Sequence, residues 1–265
     1  MKSLMKFYII IFLLMLSVLS MAQLKEVQRQ TVQTEKFDLD KLGNFYFIND
    51  NVLKKTNNKL EFITSYDLYS LGDISLFDVS NPLRILLFYK DFNAVLFIDN
   101  NFSELTDPIL LDDTKYYSAD AIASNQFGGF WIYNSLNSSV VCLDKDLETV
   151  QEGMNLYSVV GDAEILEMKL STDFIVLHFD SNELVVLDKF ANFYTKYTVT
   201  EGAQFDLDNN ILYTIDEDGF QIINLDLKET SFMQLELDDV RDMAVSADKL
   251  YVLAENSLIT FQILY

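Results

Sequence analysis

A short phrase recurs six times along this chain: an apolar residue, any residue, a second apolar residue, then Asp or Ser. It reads Phe37-Asp38-Leu39-Asp40, Phe77-Asp78-Val79-Ser80, Ala121-Ile122-Ala123-Ser124, Met168-Lys169-Leu170-Ser171, Phe205-Asp206-Leu207-Asp208 and Met243-Ala244-Val245-Ser246. Counted from the closing Asp or Ser, the steps are 40, 44, 47, 37 and 38 residues. A period near forty in a strand-rich chain is the signature of a β-propeller, in which each repeat is one four-stranded blade. The fold class read from the sequence is therefore all-β, a six-bladed β-propeller.

A second strand follows each phrase after a polar turn: Phe45–Ile48, Ile85–Tyr89, Phe130–Tyr133, Phe174–Phe179, Ile211–Ile215 and Leu250–Ala254. All are rich in aromatic and branched residues, as strands packed on both faces are. Third strands are clear at Val95–Ile98, Val140–Leu143, Leu184–Leu187, Phe220–Leu225 and Leu258–Ile263, and weak in blade one, where Val52-Leu53 precedes two lysines. Outer strands face solvent and carry more polar patterns, as at Phe193–Val199 and Phe232–Leu237. Only three strands fit between Asp242 and Tyr265, whereas Leu24–Thr34 ahead of the first phrase has room for one more. A strand containing Val27–Val32 is expected to complete the last blade, closing the ring and removing two open sheet edges. The blades then span about 35–71, 72–117, 118–164, 165–201, 202–239 and 240–265.

The first 22 residues stand apart. Lys2 and Lys6 form a basic leader, Phe7–Leu19 is apolar except for Ser17, and Ser20-Met21-Ala22 offers small residues for cleavage before Gln23. This pattern predicts a signal peptide and export to the periplasm or cell surface. The rival is an uncleaved anchor, although the uncharged stretch Phe7–Leu24 has only 18 residues, at the short end of what spans a bilayer. No cysteine lies near the cleavage site, so a lipoprotein anchor is excluded. After cleavage no stable membrane insertion is expected. Cys142 is the sole cysteine, which excludes an intramolecular disulfide, and it sits in an apolar run. Formal net charge is −22, or −24 without Lys2 and Lys6, a surface that repels nucleic acid and anionic lipid. Asn and Asp stand in for scarce glycine and proline at turns, which accounts for much of that acidity. The closing Asp or Ser of each phrase is expected to serve the turn after the innermost strand.

The segments Met243–Val252 and Phe205–Tyr213 resemble the strand-turn-strand core of NHL-type and TolB-type propeller repeats. The resemblance extends over all six repeats and implies a central channel lined by the innermost strands, with binding at its mouth. Trp-Asp blade endings, kelch glycine pairs and the sialidase box are missing. Gly128-Gly129, before Phe130-Trp131, reads as a tight turn.

His178 is the only histidine and falls within an apolar strand, so neither a Ser-His-Asp triad nor a histidine metal site is available. The residues just before each phrase (Lys36, Leu76, Asp120, Glu167, Gln204 and Asp242) start the innermost strands at the channel mouth. Lys36, Asp120, Glu167, Gln204 and Asp242 are the candidate binding residues there. Asp120, Glu167 and Asp242 with Gln204 would offer oxygen ligands of the kind Ca²⁺ or Mg²⁺ prefers, similar in general plan to the metal-centred lactonase propellers. Like charges lining a wet channel are the plainer alternative. Tyr66, Tyr69, Tyr116, Tyr117 and Tyr157, in connections between blades, are candidate rim contacts. The leading functional expectation is an exported, non-catalytic module that binds an envelope protein or a small ligand without a cofactor. The alternative is a cation-dependent hydrolase.

Overall fold

The computed structural model describes residues 23–264 except Leu68, Tyr117, Gln126, Phe127 and Glu217, and only the backbone of Tyr69. The predicted leader, Met1–Ala22, lies outside the described residues. Six antiparallel four-stranded sheets follow one another in sequence. Blade one is β2 (Lys36–Leu39), β3 (Phe45–Asn49), β4 (Val52–Thr56) and β5 (Phe62–Tyr66). Blade two is β6 (Leu76–Asp78), β7 (Ile85–Tyr89), β8 (Ala94–Ile98) and β9 (Ile109–Leu110). Blade three is β10 (Ala119–Ser124), β11 (Phe130–Asn134), β12 (Ser139–Leu143) and β13 (Thr149–Glu152). Blade four is β14 (Ile165–Leu170), β15 (Phe174–Phe179), β16 (Glu183–Asp188) and β17 (Phe193–Thr198). Blade five is β18 (Gln204–Asp208), β19 (Ile211–Asp216), β20 (Gly219–Asn224) and β21 (Glu229–Met233). Blade six is β22 (Val240–Ser246), β23 (Lys249–Ala254) and β24 (Ser257–Leu264), completed by β1 (Gln23–Thr31) on its outer edge.

The ring is thus closed as expected, by pairing the two ends of the chain. β1 runs antiparallel to β24 from Gln23 opposite Leu264 to Thr31 opposite Ser257, so neither strand leaves its ladder open toward the other. Closing by hydrogen bonds within one sheet is what lets each blade rest on two neighbours. The second and third strands carry the core. β7, β8, β11, β12 and β15 are buried on both faces along their whole length, because each lies between two packed sheets. Their side chains alternate between the preceding and following blade: Leu86, Phe88 and Phe97 meet Ile132 and Phe130 of blade three, while Ile85, Leu87 and Leu96 meet Tyr46 and Ile48 of blade one.

Two expectations shift. The outer strand of blade five was expected at Phe232–Leu237 but pairs as Glu229–Met233. The cause is a tight turn: Asn224 accepts the N–H groups of Asp226 and Leu227, and Lys228 turns left-handed at φ 57°, so the chain returns at once. Blade one also has a full third strand that runs on through Lys54 and Lys55. Lys55 is buried, its ammonium donating to the Asn100 carbonyl (3.1 Å) with its charge over the Tyr46 ring. Burial pulls its pKa down, and Asp40 and Asp99 oppose that pull.

The phrase's closing residue serves the turn in blades one and four, and in the latter Ser171 Oγ accepts the Phe174 N–H at 3.1 Å. Asp40, 1% exposed, accepts the N–H groups of Leu42 and Asn44, the Asn44 amide and the Tyr46 hydroxyl. Gly128-Gly129 is a turn as well. Gly128 has φ +79°, and a Cβ on Gly129 would stand 1.9 Å from the Leu143 carbonyl oxygen.

Candidate functional site

Every innermost strand starts on the same face of the ring, here called the upper face, and runs down the channel wall. At its second phrase position lie Asp38, Asp78, Lys169, Asp206 and Ala244. Sequence reading passed over this place as any residue, yet it carries the channel's charge. Asp206 Oδ2 accepts the Val245 N–H of blade six at 2.7 Å, and Asp78 Oδ2 accepts the Ser124 N–H of blade three at 2.7 Å. Each aspartate therefore ties its own blade to the next.

The Asp78–Ser124 bond also fixes the alignment of blade three. Ser124 takes the place of Val245, the third of its phrase, and the closing place falls to Asn125, whose N–H meets the Gly129 carbonyl as Asp40's meets Asn44's. The phrase in blade three is thus Ile122-Ala123-Ser124-Asn125, one residue later than read from sequence. Ladder shifts explain the slip. The pairing skips a residue between Ala119 and Ala121, as it does between Ile165 and Glu167 and between Val240 and Asp242. Asp120 occupies the extra position, equivalent to Leu166 and Arg241, and Ala121 stands at the ring position assigned to it. The predicted ring is corrected accordingly.

Of the predicted mouth residues, the structure brings Lys36, Glu167, Gln204 and Asp242 together at one opening of about 60 Å³, with Asp38, Leu76, Lys169 and Arg241. Lys169 is its centre. Its ammonium lies 3.0 Å from Asp206 Oδ1 and 3.9 Å from Glu167 Oε1. Burial acts to lower the Lys169 pKa, but Asp206, Glu167, Asp38 and Asp242 together hold it well above its ordinary value. Asp242 Oδ2 accepts the Phe37 N–H across the closure between blades six and one, and Oδ1 accepts the Met243 N–H, both at 2.8 Å. Burial pushes Asp242 up to about 7, against the pull of Lys169; Glu167 adds to the rise. Burial likewise pushes Asp38 up to about 8, Lys169 opposing and Asp206 adding. One ammonium facing several carboxylates cannot neutralise them all, so some take protons near neutral pH.

Asp120 lies elsewhere, ion-paired to Lys90 at 3.1 Å. Both line a larger recess of about 450 Å³ on the upper face between blades three and four, with Tyr133, Leu136, Tyr157, Asp162 and Glu164. Its wall is α1 (Tyr157–Val160), pinned to blade three by Leu156 N–H on the Ser138 carbonyl (2.7 Å) and the Asn155 amide on the Asn137 carbonyl (2.6 Å). Among the described residues no group of three or more His, Cys, Asp or Glu is placed to hold a metal ion. Lys169 instead puts a fixed positive charge among the channel carboxylates.

The candidate rim tyrosines divide. Tyr157 is 53% exposed beside the recess. Tyr66 is half-buried and donates to Glu104 Oε1 at 2.9 Å. Tyr116 is a core residue, packed with Phe88 and Phe97 and bonded to the Thr149 hydroxyl, which corrects its reading as a rim contact. Tyr117 lies outside the described residues, and Tyr69 sits in a short 3₁₀ turn, Tyr69–Leu71. His178 is buried, opposite Glu167 in the ladder and edge-on to Phe205; burial lowers its pKa. Cys142 is buried in β12, and burial raises its thiol pKa.

Several solved structures superpose on this chain. Virginiamycin B lyase from Staphylococcus aureus superposes with a TM-score of 0.63 at 9% identity over 91% of this chain and 99% of that one. A streptogramin B lyase superposes at 0.61 with 12% identity over 86% of this chain and 78% of that one. The Neurospora crassa Pan2 WD40 domain gives 0.60 at 9% identity over 90% and 95%. The likeness is one of fold. No protein-family model and no curated protein matches the chain.

Proposed function

We propose that this chain is an exported, non-catalytic binding module of the periplasm or cell surface that engages an envelope protein or small ligand through its upper face. The observation that carries the reading is how the central channel is filled. Its opening of about 60 Å³ is far below the roughly 300–1,000 Å³ of small-molecule sites. Its charged side chains are engaged with one another and with strand N–H groups across blade boundaries. Such a channel holds the ring together and leaves recognition to the surrounding face, where the larger recess lies. Propellers commonly serve as binding platforms, although fold alone does not choose between binding and catalysis.

The comparisons include a catalytically inactive histidine-to-alanine form of virginiamycin B lyase with quinupristin. Here the only histidine, His178, lines neither recess, which argues against histidine chemistry of that kind. The cation-dependent hydrolase reading loses support because Asp120 stands apart from Glu167 and Asp242. A photocrosslinking residue placed at Ser135, on the upper face, and separately at Lys145, in the lower-face turn between β12 and β13, tests the proposal. An adduct with an envelope component formed from position 135 and not from 145 is expected. Equal adducts from both, or none from 135, would overturn it.

A further inference from the structure

The recess between blades three and four has a chemical character that narrows what it holds. Two of its lining residues are buried hydrophobics, Tyr133 at 3% exposure and Ile165 at 6%. Tyr157 from α1 and Leu136 from the turn between β11 and β12 also line it, and both are exposed. The lining charges are unequal. Its one cation, Lys90, is taken up by Asp120, whereas the exposed side chains of Asp162 and Glu164 have no hydrogen-bond or ion-pair partner among the described residues. The wall is built rather than loose, since Leu156 and Asn155 clamp α1 to blade three and the Gly161 N–H closes it on the Tyr157 carbonyl at 2.8 Å.

A recess that sets Tyr133, Tyr157, Leu136 and Ile165 beside two unpartnered carboxylates suits one kind of group. An alkyl stem lies against the rings and a cation reaches the acids, with the faces of tyrosines adding attraction. Anions are repelled by the same carboxylates and by the molecule's net charge of −22. We infer that this recess binds an aliphatic chain ending in an ammonium or guanidinium, as carried by a lysine or arginine side chain or by a free diamine. The inference rests on the upper-face binding reading and names the ligand chemistry of that face. A volume of about 450 Å³ lies within the roughly 300–1,000 Å³ of small-molecule sites and is ample for such a chain.

Calorimetric titration of the mature protein with Nα-acetyl-lysine methylamide, its norleucine counterpart and 1,5-diaminopentane tests it. The lysine derivative should bind and the isosteric norleucine derivative should bind at least about tenfold more weakly, because the cation carries the discrimination. Asp162→Asn with Glu164→Gln should weaken lysine binding by about 5- to 10-fold, and Tyr157→Leu by a smaller factor. These residues are exposed, so folding is kept and an unchanged far-UV spectrum verifies it. Stronger binding of the blocked lysine than of the diamine assigns the source to a protein side chain, and the reverse assigns it to a free diamine. Equal binding of lysine and norleucine derivatives, no binding of any probe, or variants that bind like the parent would each overturn the inference. If position 135 still crosslinks an envelope component while every cationic probe fails, the binding face stands and this ligand chemistry falls.

Discussion

Lys169 is the residue on which the centre of the ring turns. It sits where four carboxylates converge, and without it Asp206, Glu167 and Asp38 would lose the cation that acts on them there, Lys36 still reaching Asp242. Lys169→Met should therefore lower stability by about 3–5 kcal/mol, the range for removing one partner of a buried pair, as read by urea denaturation at pH 7.5. A loss under about 1 kcal/mol would show that the carboxylates are already protonated there. Asp38 and Asp242 supply a second expectation, of opposite sense to ordinary acid denaturation. An unfolded aspartate titrates near 3.9, whereas burial lifts these to about 8 and about 7. Between those limits the folded chain holds protons that the unfolded chain releases, so this contribution is full below about pH 4 and falls as pH rises through 7 and 8. The melting temperature should drop between pH 6 and pH 8.5, and Asp38→Asn with Asp242→Asn should flatten that slope. A melting temperature that instead climbs over the same interval would contradict the protonated assignment.

At the scale of the element, the six turns that follow the innermost strands are not equivalent, and only some of them hang on a side chain. Asp40 satisfies four donors at once, so Asp40→Ala leaves several of them partly buried and unpaired, a change expected to cost about 2–4 kcal/mol. The Ser246 side chain makes no hydrogen bond among the described residues, and Ser246→Ala should fall within about 0.5 kcal/mol. Equal losses at the two sites would mean the turns are held by backbone alone. These elements also mark what a reader of the sequence can and cannot see. The phrases, the second strands Ile85–Tyr89 and Phe174–Phe179, and the need for an N-terminal strand were legible because two-sided burial writes itself as apolar runs. The extra residue at Asp120 was not, because Ser124 and Asn125 are both acceptable turn formers and either register reads well. The inner ring of Asp38, Asp78, Lys169 and Asp206 was hidden for another reason. Its residues differ in identity and sign, and they share only a direction. The turns between third and fourth strands were also missed, though a pattern was present. Asn57, Asp99, Asp144 and Asp188 each accept backbone N–H groups two and four residues on, and each is followed at the third residue by a left-handed, mostly apolar residue: Leu60, Phe102, Leu147 and Ala191. Propensity argues against such residues at positive φ, so the repeat is found by spacing rather than by turn composition.

Over the whole molecule, charge acts in two separate regimes, and salt tells them apart. From Gln23 onward the formal net charge is −24, with most carboxylates in turns exposed to water. Self-repulsion of that kind opposes the compact state and is screened over about 10 Å at 0.1 M ionic strength. Raising NaCl from about 0.02 M to about 0.3 M at pH 7.5 should therefore raise the melting temperature by several degrees, since the isolated surface ion pairs that salt weakens contribute little. The channel answers differently. Lys169 and Asp206 are only 18% and 13% exposed, so their attraction is screened far less than that of the surface charges. The stability difference between the parent and Lys169→Met should hence stay within about 0.5 kcal/mol across the same salt range, even as both melting temperatures climb. A difference that shrinks with salt would place Lys169 in open water. The ring would then be held by its apolar blade faces and the β1–β24 closure, with the central charges as mere lining.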